Sequence, residues 1–299
     1  MRRELSFYQE LVVRKADAPL DQDLVRRKLD AVQAAGIRDI GHDGIGGLEI
    51  DKNMQAFIDF VAKELERRQM RVTSFHYAGC TYSQDAGENA RILEGMRRTV
   101  EGFGAWKPRA FVVHAGWLPG SGNNGVLAEG RRLENLLGRE GLMERIAENL
   151  RAFAEMAKPW GISLALENVA PMLCLGSMED QLEIVRRIGM ENVGVCLDAG
   201  HAHLDGQNVA EYVRMAGKNL VETHFHDNVG PAGMPGRHPD LHWPVGLGTV
   251  NWPGVIDALD DIGYNGPVTF ETTGFPLETP AEGYRASVQF WRMLEDKAR

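Results

Sequence analysis

Short runs dense in apolar and β-branched residues alternate, from end to end of the chain, with longer stretches in which apolar residues recur every three or four positions. The first pattern builds strands and the second amphipathic helices. The strands fall at 5–9, 37–41, 72–77, 110–115, 162–168, 193–198, 221–226 and 268–272, and the helices between them include 21–35, 54–68, 90–102, 143–158 and 178–188. Eight strand–helix units in succession predict a parallel sheet closed on itself. This is a (β/α)8 TIM barrel of the α/β class, with residues 1–299 forming a single domain. An open doubly wound sheet would offer fewer strands and a Gly-rich phosphate turn after the first. The glycines of 41–47 read instead as the loop after the second strand. Two longer connections, 117–141 after the fourth strand and 227–252 after the seventh, read as loops that cover a site.

Composition narrows the class without changing the fold. With 299 residues, 43% hydrophobic and 25% charged, the chain can bury a large core, which excludes disordered and fibrous classes. A net charge of −9 gives no general attraction to a phosphate backbone or an anionic membrane, so a nucleic-acid partner and a membrane are both disfavoured. Met1-Arg2-Arg3 is followed by Glu4 and Glu10 rather than by an apolar stretch, and no segment has transmembrane length. Cys80, Cys174 and Cys196 are odd in number and far apart, which suits a reducing compartment. A cytoplasmic protein is expected.

The polar residues of interest cluster at the C-terminal ends of the proposed strands, where this fold keeps its active site. His42 and Asp43 follow the second strand, His76 the third, His114 the fourth, and Glu167 with Asn168 the fifth. Asp198 and His201 follow the sixth, His224 and His226 the seventh, and Glu271 the eighth. Any one of them is explained as a helix cap or a loop hydrogen bond. Together, three carboxylates and a histidine on strands five to eight would crowd like charges, which is costly without a cation between them. A divalent metal ion is therefore expected on Glu167, Asp198, His224 and Glu271. The ligand set is mostly hard and suits Mn2+, Mg2+ or Co2+ as well as Zn2+. Such an ion polarises a sugar carbonyl, and Glu167 and Glu271 on opposite sides of the substrate would remove and return a proton on the neighbouring carbon. His238 reads as a loop residue. His242 follows Asp240 at a spacing that could add a second metal site with His201. Phe7, Tyr8, Tyr77, Trp117 and Trp243 fall near the mouth, chiefly as packing, and Arg131-Arg132 reads as an exposed helix face.

Leu-Glu-Asn at 166–168, Cys-Leu-Asp-Ala-Gly-His at 196–201, His-Phe-His-Asp-Asn at 224–228, Asp-Leu-His at 240–242 and Phe-Glu at 270–271 resemble the xylose isomerase-like TIM-barrel superfamily. Within it the chain looks most like the sugar phosphate isomerase/epimerase group, over nearly its whole length. Resemblance to ketose 3-epimerases implies metal ligation by Glu167, Asp198, His224 and Glu271, the two glutamates as acid/base pair, and His201 against substrate hydroxyls. It implies a metal-dependent isomerase or epimerase acting on a ketose or keto-sugar through an enediolate, and it allows a homo-oligomer. The superfamily also contains zinc-dependent abasic-site DNA endonucleases. His76, His114, Glu167, Asp198, His201, His224, Asp240, His242 and Glu271 occupy positions resembling their trinuclear zinc ligands, and His226 lies among them. The surroundings depart from that pattern. Those enzymes usually have Thr-Cys-His after the metal-binding Asp where this chain has Ala199-Gly200-His201, and His-x-Asn-Asp-Ser-Lys where it has His224-Phe225-His226-Asp227-Asn228-Val229. The balance favours a small-molecule sugar substrate. A dehydratase or lyase of keto-sugars or inososes would use the same enediolate, and loss of catalysis is opposed by the intact Glu167 and Glu271.

Overall fold

The computed structural model describes residues 2–9, 11, 21–42, 52–120, 122–169, 171–233, 238–272 and 280–297. The strands are β1 (Leu5–Gln9), β2 (Asp39–His42), β3 (Arg71–Tyr77), β4 (Ala110–Val113), β5 (Ser163–Glu167), β6 (Val193–Asp198), β7 (Leu220–Phe225) and β8 (Val268–Phe270). They pair in sequence order, all parallel, and β1 closes on β8. The expected (β/α)8 barrel is the observed one. Around it lie α1 (Gln22–Ala34), α2 (Lys52–Arg68), α3 (Ala86–Phe103), α4 (Gly122–Leu137), α5 (Arg139–Ala157), α6 (Met178–Ile188), α7 (Ala199–Leu204), α8 (Val209–Ala216), α9 (Trp252–Asp261) and α10 (Pro280–Lys297). Helix boundaries follow local chemistry. In α6, Ser177 and Asp180 form a reciprocal capping box at the start, and Gly189, at φ 67°, ends the helix in the left-handed region.

Alternation along each strand sorts the side chains into two sets. Outward residues such as Phe75, Phe111, Phe225 and Phe270 pack against the helices, with Phe103, Phe153, Trp252 and Trp291 filling the space between. Burial of each contributes about 1.5–3 kcal/mol. Inward residues are small at the floor of the barrel, where Ala110, Val112, Ala165 and Cys196 form a separate buried cluster. Above that floor the inward positions are polar.

Two expectations need correction. The stretch 117–141 is not one long loop, because it contains helix α4, whose buried stripe is Val126, Gly130 and Leu133. His42 does not reach the mouth. It stacks on Phe75 at 5.2 Å and meets Trp106 edge-on, facing the helix layer. Gly41 takes the inward position, so strand parity carries His42 outward. Asp43 and the rest of the loop at 43–47 lie outside the described residues.

Candidate metal centre at the barrel mouth

His76 stands at the end of β3, Glu167 at the end of β5, Asp198 at the end of β6 and His224 on β7, with His114, His226 and Glu271 just past β4, β7 and β8. His201 lies in the first turns of α7, and Asp240 and His242 are carried by the long connection after β7. Outside the helix layer nothing else is needed to gather them, since parallel strands of one barrel deliver their C-terminal ends to one face.

Among the described residues four groups of donors have candidate atoms that all lie within 4.8 Å of one another, three of them at the mouth and the fourth, Glu167, Cys196 and His224, reaching below it. Glu167, Asp198, His224 and Glu271 form the first, at the centre. His76, His114 and Glu167 form the second, with His76 Nε2, His114 Nε2 and Glu167 Oε2 at mutual distances of 3.1, 3.2 and 3.2 Å. Those separations are close to the edge of a tetrahedron built on metal–ligand bonds near 2.0 Å, about 3.3 Å. His201, His226, Asp240 and His242 form the third. Glu167 joins the first two groups, because its Oε1 faces His224 Nδ1 at 3.2 Å while Oε2 faces the histidine pair. His224 Nδ1 is also 2.9 Å from Glu271 Oε2. Buried carboxylates and imidazoles that converge on shared points suit a divalent cation, and the donor chemistry fits one.

Asp198 also caps α7, its Oδ1 accepting the His201 N–H at 2.6 Å. Asn168 braces β5 against β6 in both directions, donating to Asp198 O and accepting from Asp198 N–H, each at 2.9 Å. The two departures from the endonuclease pattern touch each other. A Cβ at Gly200 would collide with the His226 ring, so the glycine makes room for the histidine. His226 stacks face to face on His242 at 3.8 Å, and its Nε2 lies 3.1 Å from Asp198 Oδ1. His242 adopts φ 45°, a left-handed backbone that is uncommon for a histidine, and faces the Glu271 carbonyl through Nδ1 and Asp240 through Nε2, each at 3.0 Å.

Electrostatics follow the geometry. Burial pushes the Glu167 carboxyl up, but His224 and His114 beside it outweigh that and hold it well below its ordinary value. Glu271 behaves likewise, burial opposing and His224 and His242 prevailing, and is held at about 2. Burial lowers His201, yet Asp198, Asp240 and Glu167 raise it to about 10; His242 rises to about 9 through Asp240 and Glu271 against the same penalty. His114 is lowered, chiefly by burial.

A cavity of about 290 Å³ opens over these groups. The part of its wall supplied by the connections after β4 and β5 is apolar, made by Trp117, Val169, Met172 and Leu173, and Tyr8 reaches in from β1. Phe7 and Tyr77 face the helices instead, Phe7 meeting Tyr284 and Tyr77 meeting Phe153. Trp243 forms a bridge with Asp227, His238 hydrogen-bonds its own loop through Nδ1, and Arg132 pairs with Glu129 on the outer face of α4. Sequence reasoning passed over Asp227, which anchors the long connection. It also missed Cys196 and Glu222, which lie under the site. The signal for Glu222 was the period-two run of Glu222 and His224 on one face of β7, continued by His226 just past its end.

A barrel of this topology with a carboxylate–histidine mouth belongs to a recognisable class. The family model of the xylose isomerase-like TIM barrel matches residues 29–294, and the chain belongs to that family. The inosose isomerase of Bacillus velezensis is 31% identical over 135 residues, 44% of this chain and 48% of that protein. The D-psicose 3-epimerase of Ruminiclostridium cellulolyticum is 26% identical over 162 residues, 54% of this chain and 50% of that protein. The chain thus spans about half the length of these curated relatives. Among solved structures, the IOLI protein with a bound zinc atom superposes with a TM-score of 0.72 at 20% identity, covering 98% of each chain, which shows the shared fold. No described helix is long and apolar enough to cross a membrane.

Proposed function

We propose that this protein is a divalent-metal-dependent isomerase or epimerase of a ketose or keto-sugar. The observation that carries the reading is the buried convergence of Glu167, Asp198, His224 and Glu271 at the barrel mouth, their donor atoms within 4.8 Å of one another. Similarity to an inosose isomerase and a psicose 3-epimerase supports the substrate class. A cation bound there would polarise the sugar carbonyl and lower the acidity barrier of the adjacent C–H. Glu167 and Glu271 are ionised at neutral pH and so are ready to accept a proton. One glutamate takes the proton from the carbon beside the carbonyl, leaving an enediolate, and releases it to solvent, while the other takes up a proton from solvent and delivers it to carbon, so that both end as carboxylates. His201 and the Asp240–His242 pair, on the rim of the cavity, orient substrate hydroxyls. The apolar wall excludes water from the reacting carbon.

A second reading is favoured by one observation, the presence of two further donor groups beside the first. Together they could hold a trinuclear zinc centre of the abasic-site endonuclease kind. The Gly200–His226 contact and the net charge of −9 weigh for sugar chemistry. Elemental analysis of the purified protein separates the two. About one Mn, Co or Mg per chain with turnover in a ketose panel supports the first reading; near three Zn per chain with cleavage of an abasic-site duplex supports the second.

A further inference from the structure

Hydrogen bonds already fix the backbone of Asp198 and one of its carboxylate oxygens. Asn168 donates to its carbonyl and accepts from its N–H, each at 2.9 Å, and Oδ1 accepts the His201 N–H at 2.6 Å. The His201 ring adds little, since its Nδ1 meets the Asn168 carbonyl at 3.1 Å and stands 3.5 Å from Oδ1. One bond to one oxygen leaves the carboxylate plane free to turn about Cβ–Cγ, a soft torsion. His226 supplies the missing constraint. Its Nε2 lies 3.1 Å from Oδ1 and 3.2 Å from Oδ2, spanning both oxygens, and both residues are fully buried. A carboxylate only accepts, so the proton between them is carried on Nε2.

The His226 ring is itself held. Gly200, in the first turn of α7, leaves the space that the ring fills, because a Cβ there would collide with it. Asn228 donates to Gly200 O at 2.8 Å, so the residue two beyond His226 pins that same turn to the connection after β7. His242 lies over the ring at 3.8 Å with 9° between the planes, and the Glu271 carbonyl and Asp240 fix His242 in turn. His226 Nδ1 is buried and has no hydrogen-bond partner among the described residues, so the contact with Asp198 sets which way the ring faces.

We propose that His226 is a positioning residue for Asp198, its Nε2–H fixing the carboxylate plane that Asp198 presents to the cluster of Glu167, His224 and Glu271. The inference rests on the reading of Asp198 as a metal ligand, in which a donor behind a ligating carboxylate orients it. It also takes His226 out of the third donor group. Nε2 is 4.0 Å from Asp240 Oδ1, and an ion seated between His226 and Asp240 would claim the nitrogen that Asp198 holds.

The test is a Co2+ titration of the full chain after chelator treatment, following visible d–d absorption, with the number of ions bound and the thermal unfolding of the metal-free protein measured alongside. His226→Phe keeps a stacked ring and loses the N–H. It is expected to weaken the Co2+ Kd by about 10- to 100-fold and to shift the d–d band, with the number of ions bound unchanged. His226→Gln, which can set an N–H near the place of Nε2, should fall between Phe and wild type in both readouts, and it carries the comparison if the Phe variant does not fold. Folded variants with the wild-type Kd and spectrum, whatever their metal-free thermal midpoint, would overturn the role of His226 alone. So would a His226→Phe protein that binds one ion fewer with the remaining Kd unchanged, since His226 would then be a ligand. A wild-type protein that binds no Co2+ would instead remove the reading of the donor cluster, and this inference with it.

Discussion

Glu271 lies 2.9 Å from His224 Nδ1 and is held at about 2, so across neutral pH it is a carboxylate aimed at the centre of the cluster. Glu271→Gln keeps the size and one oxygen but cannot accept a proton. Turnover of a confirmed ketose substrate is expected to fall by about 10²- to 10⁴-fold, with KM changed far less, as steady-state kinetics would show. Wild-type turnover in the variant would remove Glu271 from the acid/base pair. At this scale the sequence was readable where topology maps strand ends to one face, as for His76, His114, Glu167, Asp198, His201, His224, His226 and Glu271, whereas Asp240 and His242 arrive on the long connection after β7. His42 was misplaced because one step of parity on β2 sends a side chain to the opposite face. Glu222 and Cys196 were hidden because an inward residue one level below the mouth looks, in sequence, like any buried strand position.

The connection after β7 shows what an element contributes that its residues do not advertise. Asp227 accepts four N–H groups: Asn228 at 3.1 Å, Gly246 at 2.9 Å, Val250 at 3.2 Å and the Trp252 indole at 2.8 Å. That single carboxylate fastens both ends of the segment carrying Asp240 and His242 to β7. Asp227→Ala would leave those donors buried without an acceptor and is expected to destabilise the protein by about 2–4 kcal/mol in chemical denaturation. Amide exchange within 238–252 should rise with it, whereas unchanged exchange there would mean that the segment is held by other contacts. Its course was not legible beforehand, since Gly, Pro and His residues signal a loop but not its anchor. Helix α4 was missed for a different reason. Gly120-Ser121-Gly122-Asn123-Asn124-Gly125 reads as a turn, and the buried stripe that follows is broken by Gly130, which lets the helix approach Cys174 closely.

For the molecule as a whole, the barrel was legible because eight short apolar runs separated by amphipathic helices have few other ways to bury their faces. The cost of its polar mouth should appear in the pH dependence of the metal-free protein. His201 and His242 are raised from 6.5 to about 10 and about 9, so their contribution is complete below pH 6.5 and is lost as pH rises through about 9 and 10. Glu271, lowered from 4.5 to about 2, contributes above 4.5 and loses that contribution as pH falls toward 2. Unfolding of the chelated protein should therefore show stability declining from neutral pH to pH 10. A flat profile over that range would mean that the His–carboxylate contacts are not formed in the metal-free state.

The most direct test of the central claim is incubation of the metal-loaded protein with a panel of ketoses in D2O, followed by NMR. The account predicts deuterium at the carbon beside the carbonyl of at least one sugar, abolished by chelation and by Glu271→Gln. Absence of exchange with every ketose, together with cleavage of an abasic-site duplex by the zinc-loaded protein, would contradict it.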